Sequence, residues 1–116
     1  IVPAVATQAM TSGVASGKMA FDKTCRACHS INPGGAGIGP TLAGVVGRKA
    51  GTVPNFDYSD QIRNSGITWT ADNIDKHIEA PKSFIPGNRM GNLFPNGIKD
   101  PGQRRDIIVY LKSVAQ

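Results

Sequence analysis

The sequence predicts an all-α domain with long connecting loops. Three observations carry that reading. Short segments place apolar residues at helical spacing, polar capping residues precede them, and stretches rich in glycine and proline separate them. With 116 residues the chain forms one domain with one modest core.

The elements follow in order. "ASGKMAFDKTCRACH" reads as a first helix from Gly17 to about Cys28, and nothing strand-like precedes Cys25. Residues 31–51, "INPGGAGIGPTLAGVVGRKAG", form a loop. "YSDQIRNSG" gives a short helix capped by Ser59 and ended by Gly66. "TADNIDKHIEA" gives a stronger one. Thr70 caps it, Asp72 complements its first turn and Pro81 stops it. Ile74 and Ile78 mark its buried face, with His77 beside them. A short turn at Lys82 to Ile85 and the loop "PGNRMGNLFPNG" lead to a last helix from about Pro101 to Val114. Its stripe is Ile107, Ile108, Leu111 and Val114. The longest apolar run, "IIVYL", is too short to span a membrane. Residues 1–16 are uncharged and weakly polar, and read as a flexible arm or tether left by a removed N-terminal signal or anchor. Residues 17–116 are the domain proper.

Chemistry concentrates in "CRACHS". Cys25, Cys28 and His29 are the only two cysteines and one of the only two histidines. A four-residue disulfide loop would stabilise little. A redox dithiol expects a strand–turn–helix context. Zinc would need Cys25, Cys28, His29 and distant His77 around one tetrahedral centre, whereas the neighbours Cys28 and His29 point in different directions from a helix. Covalent haem uses all three residues, the thiols on the vinyl groups and the histidine on the iron. A large apolar cofactor also suits a chain with one Trp, two Tyr and four Phe, whose core would otherwise be thin.

The iron's sixth position has few candidates. Met10 lies in the arm, and Met19 is too close to Cys25 on the same helix. Lysines and His77 remain, and Met90 stands in a constrained loop far along the chain. A soft thioether favours ferrous iron and raises the reduction potential. His29 and Met90 together close the iron on both faces, which suits electron transfer and not oxygen activation. Net charge is +5, with the basic residues scattered and no aromatic–basic interleaving of a nucleic-acid module.

Beyond "CRACH", the segments "GPTLAGVVGRKAG", "GITW", "PKSFIPGNRM" and "DIIVYLK" occur in that order. Together they resemble the class I c-type cytochromes, of the mitochondrial and short bacterial type, over roughly Gly17 to Ala115. The resemblance implies four to five helices and long loops wrapped round one covalent haem c. It further implies that the Pro40 carbonyl accepts from the His29 ring, that Arg48 lies near a haem propionate, and that Tyr58 and Trp69 donate to the propionates. Gly17, Phe21, Ile107 and Tyr110 would form the contact of the first and last helices. Two positions depart from the family. Asn88 replaces the usual threonine at a propionate, and His77 replaces a tyrosine bonded to the methionine sulfur.

The resemblance also implies a soluble, monomeric one-electron carrier that is not itself an enzyme, placed in the bacterial periplasm or less typically the mitochondrial intermembrane space. Its partners would be redox proteins with acidic docking surfaces: a quinol–cytochrome c reductase, a terminal oxidase, a reaction centre or a dehydrogenase. Nucleic acid is not among them, and peripheral membrane association is compatible with the arm. Arg26, Lys82, Arg89 and Lys99 are the expected docking cations, and Leu93 or Phe94 the expected shield of the haem edge. The alternatives are a haem subunit fixed in a larger oxidoreductase and, were Met90 labile, a weak peroxidase or gas sensor. For His77 two roles stand side by side, a neutral core residue and a donor to Met90 that takes up a proton on reduction between about pH 5 and 8.

Overall fold

The computed structural model describes the backbone of residues 2–35 and 37–114, and side chains from residue 13 onward. The element order is α1 (Val2–Thr24), α2 (Asp60–Arg63), α3 (Ala71–Glu79), α4 (Pro81–Phe84), α5 (Arg89–Leu93) and α6 (Pro101–Ser113). The fold is all-α as expected, with a single isolated bridge between Lys49 and Thr68 among the described residues.

Four boundaries differ from the sequence reading. Helix α1 begins at Val2 instead of Gly17 and runs through Gly13 and Gly17. The same helix ends at Thr24, and Cys25 to Cys28 form a turn. Pro81 opens a one-turn helix, α4, where a turn was expected. Helix α5 was unforeseen inside a presumed loop. Asn88 creates it, its Oδ1 accepting from the Gly91 N–H at 3.0 Å. The expected caps are in place, Ser59 on Ile62 and Thr70 on Asn73, and Asp100, not named from the sequence, caps α6 on Gly102 ahead of Pro101.

Helices α1 and α6 cross at the centre of the core. Phe21 and Ile107 are each 1 % exposed there. The Phe21 and Tyr110 rings lie 5.5 Å apart and tilted. Gly17 is required at the crossing. A Cβ on it would collide with the Asp106 carbonyl and stand 2.7 Å from Tyr110 Cβ. Burial of Phe21 and Ile107 contributes about 1.5–3 kcal/mol each. Helix α3 packs against α6 through Ile74, His77 and Ile78. Arg104 fastens this contact, its Nε donating to Asp75 at 2.7 Å and one terminal nitrogen to the Ile98 and Lys99 carbonyls.

The loop of residues 47–50 pairs with 67–69. Trp69 N–H donates to the Arg48 carbonyl at 2.8 Å, Gly47 N–H to the Trp69 carbonyl, and Ala50 N–H to the Ile67 carbonyl. Arg48 and Trp69 are thereby brought together from distant parts of the sequence.

Candidate functional site

One large apolar cleft opens between these elements. It encloses about 1330 Å³ with its open mouth included. Every site residue named from the sequence lines it: Cys25, Cys28, His29, Pro40, Arg48, Tyr58, Trp69, His77, Asn88 and Met90.

The cysteines and His29 sit on the turn that follows α1. The Cys25 carbonyl accepts from the N–H groups of both Cys28, at 3.1 Å, and His29, at 3.0 Å. Cys25, Cys28 and His29 thus occupy positions i, i+3 and i+4, which share one face of a helical turn. The expected divergence of Cys28 from His29 is corrected accordingly, since both face the cleft. No group of three or more metal-binding Cys, His, Asp or Glu residues exists among the described residues, so the four-ligand zinc reading has no site. Both thiols are free and half-buried, and burial pushes the Cys25 thiol up.

His29 Nδ1 lies 2.8 Å from the Pro40 carbonyl oxygen. A carbonyl only accepts, so Nδ1 carries the proton and the Nε2 lone pair is left for a metal. Gly39, unnoticed in the sequence, permits this approach, because a Cβ on it would stand within the imidazole, 2.6 Å from Nδ1. Burial first, and then the Arg48 charge, pulls the His29 pKa below the usual histidine value, while the Pro40 bond opposes them. The ring is therefore neutral, the state in which imidazole ligates metal.

Arg48 is a half-buried guanidinium that donates to the Ala43 carbonyl at 3.2 Å and pairs with no carboxylate among the described residues. Burial pulls its pKa down. Beside it the buried Tyr58 hydroxyl accepts from Val53 N–H at 3.0 Å, leaving its own proton to donate. A half-buried cation without a carboxylate partner and a free hydroxyl proton in an otherwise apolar cleft suit an anion. A haem with its propionates fits this cleft in each respect: two thiols, an imidazole with a free Nε2, apolar walls, and a cation with a donor for acidic groups.

Around Met90 the arrangement is tertiary. His77 Nε2 lies 3.2 Å from Met90 Sδ. The imidazole stands between Trp69 and Phe84, its centroid 5.0 and 5.8 Å from theirs. Burial lowers its pKa to about 4. The neutral core residue, the first of the two roles expected for His77, accords with this burial. Asn88 is 2 % exposed and fully engaged. Its amide nitrogen donates to the Pro81 and Ile85 carbonyls at 2.6 Å each, while its oxygen caps α5. Asn88 thus caps α5 while lining the cleft. Met19 is 63 % exposed on α1, and the Met10 side chain lies outside the described residues.

Three of the four expected docking cations carry local bonds at the mouth. Arg26 pairs with Asp22 at 2.6 Å, and Lys99 donates to the Glu79 carbonyl. Arg89 bonds the Asp57 carbonyl and faces its carboxylate at 3.7 Å, tying the Met90 segment to the 50s loop. Of the four, only Lys82 makes no such bond among the described residues. Leu93 and Ile38, 59 % and 65 % exposed, stand at the mouth. Phe94 is the inward neighbour, packed on the core.

Comparison with known proteins agrees with this geometry. The family model for cytochrome c matches residues 14–115. Cytochrome c2 iso-2 of Magnetospirillum fulvum is 48 % identical over 90 residues, 78 % of this chain and 91 % of that protein. Cytochrome c2 of Blastochloris viridis is 42 % identical over 113 residues, 97 % of this chain and 86 % of that one. The solved structure of cytochrome cH from Methylobacterium extorquens superposes with a TM-score of 0.77 at 44 % identity, covering 86 % of this chain and 97 % of that one. With two thiols, a tautomer-fixed imidazole and a thioether gathered in one apolar cleft, and with relatives this similar along nearly its whole length, the chain belongs to the cytochrome c family.

Proposed function

We propose that this cytochrome c2-like electron carrier shuttles single electrons between periplasmic redox proteins through an iron held by His29 Nε2 and Met90 Sδ. Bound haem c, attached through Cys25 and Cys28, supplies the ferric/ferrous couple. The chain carries electrons and is not an enzyme. The observation that carries the ligand assignment is the bond network on both candidate ligands, Pro40 on His29 and His77 on Met90. Residues held by second bonds bind metal in fixed orientation. Arg48 and Tyr58, with Trp69, would hold the propionates. Residues 1–16 are assigned as an arm or tether to the 17–116 domain. No helix among the described residues is long and apolar enough to cross a membrane.

The docking surface is the cleft mouth, where Ile38 and Leu93 offer apolar contact beside Lys82. The proposed partners have acidic surfaces, since redox encounters rely on steering more than on area. Met90→Ala should fold, lose the ferric iron–thioether charge-transfer band and fall in potential; an unchanged spectrum and potential would remove Met90 as ligand. Electron-transfer rates with an acidic redox protein should drop as the Debye length shrinks from about 10 Å at 0.1 M salt to about 3 Å at 1 M. A flat rate would point to a permanently fixed haem subunit.

A further inference from the structure

We infer that Asn96 is a self-modifying site: the Gly97 amide nitrogen attacks the Asn96 side chain, expels ammonia and leaves aspartate or isoaspartate on the strap that ties α3 to α6. The inference stands apart from the assignment of the iron's ligands.

The sequence and the structure single out one peptide bond. Among the asparagines only Asn96 is followed by glycine, in "FPNGIK". Attack on the side-chain carbonyl needs a next-residue nitrogen that is unhindered and unbonded. Glycine has no Cβ to obstruct it. Asn96 is exposed in the turn between α5 and α6, and the Gly97 N–H donates to no group among the described residues. Other asparagines lack these conditions. Asn64 precedes Ser65, whose N–H is held by the Ile62 carbonyl at 3.2 Å. Asn73 precedes Ile74, whose N–H is held by the Thr70 carbonyl at 2.9 Å. Asn32 precedes Pro33, which has no N–H.

The reaction needs only water. A bond forms between Gly97 N and Asn96 Cγ, and the Cγ–Nδ2 bond breaks. The leaving nitrogen departs as ammonia and carries away the proton of the Gly97 amide. Water then opens the resulting cyclic imide at either carbonyl. One opening gives aspartate. The other gives isoaspartate, in which the main chain runs through the former side chain. Both replace a neutral amide by a carboxylate and lower the net charge of +5 by one.

The strap has little room for either product. Gly97 takes a φ of 64°, and a Cβ on it would collide with the Glu79 carbonyl. The Ile98 N–H donates to the Ile78 carbonyl at 2.8 Å, and Lys99 Nζ to the Glu79 carbonyl at 2.6 Å. Arg104 holds the Ile98 and Lys99 carbonyls from α6. Isoaspartate adds a main-chain atom immediately before these anchors. Either product also brings an anion beside the C-terminal end of α3, where the partial negative charge of the last carbonyls disfavours it. The modification therefore loosens the end of the helix that carries His77.

Holoprotein aged in mildly alkaline buffer tests this, because base promotes attack by the amide nitrogen. Fragmentation mass spectrometry of its proteolytic peptides should find conversion at position 96 ahead of every other asparagine. Cation exchange should resolve a new form with one positive charge fewer, and hydrogen exchange at the Ile98 amide should be faster in that form. Asn96→Gln, whose attack would need a larger and less favourable ring, should yield no such form. Conversion at another asparagine first, conversion at position 96 only after denaturation, or a low-charge form that persists in Asn96→Gln overturns the site. Equal Ile98 exchange in the two forms overturns the effect on α3.

Discussion

The cleft is held by two constructions, one round His29 and one round Met90, and they follow different rules. Cys25, Cys28 and His29 occupy one turn, and Pro40 completes the set through its backbone carbonyl. The partner of His29 is therefore main chain, which mutation of the side chain hardly alters. Round Met90 the supports are side chains: His77 from α3, Asn88 at the cap of its own helix, Trp69 and Phe84 against the His77 ring. One construction is fixed by backbone geometry and the other by identity of side chains. The second is where individual members of a family can change the iron's properties without changing the fold.

The largest expected effect lies on the first construction. Cys25→Ser combined with Cys28→Ser should abolish covalent haem, eliminate haem staining on a denaturing gel and leave little folded protein. The cleft is lined by apolar residues that only the cofactor covers, so its loss exposes them. Retained native helical content in the double variant would show that the polypeptide core suffices alone.

The second effect sharpens the contrast on the other construction. The unfolded chain protonates His77 near pH 6.5, while the folded chain resists until about pH 4. Between those values the unfolded state binds more protons, so stability falls as pH drops through this window and levels off below it. The loss is on the order of 3 kcal/mol, at 1.36 kcal/mol per pH unit. Denaturant midpoints measured at pH 7 and 4.5 should differ less for His77→Phe than for wild type. Parallel acid limbs would show that His77 does not titrate with unfolding.

The smallest effect concerns Asn88. Asn88→Ala removes a cap and leaves the Pro81 and Ile85 carbonyls short of a donor, for a cost of about 1–3 kcal/mol. If Asn88 acts only as a cap, the potential should stay near wild type while the unfolding midpoint falls. A shifted potential with unchanged stability would return Asn88 to the propionates.

Much of this was legible in the sequence for a physical reason. Local rules write the caps Ser59 and Thr70 and the stripe of α6 into adjacent residues. The bond of Asn88 to Pro81 and Ile85 was illegible because a buried amide satisfies whichever carbonyls the fold brings to it. Gly39 was hidden among many glycines, and only the imidazole pressed on it reveals why that one cannot carry a side chain. The pairing of Arg26 with Asp22 was readable as an i, i+4 ion pair, and overlooking it overstated the free charge at the mouth. The extension of α1 to Val2 was illegible because a tether and a helix without charge look alike in sequence.

The α1–α6 crossing has a kinetic consequence. Phe21 and Tyr110 come from opposite ends of the described chain, so this buried core contact is also one of long sequence separation. Closing it requires nearly the whole chain to loop back, an entropy paid before the contact gives any return. During synthesis the turn bearing Cys25, Cys28 and His29 emerges long before α6 can cover Phe21. The thiols therefore remain reachable for attachment of the cofactor until the last helix arrives to shut the core.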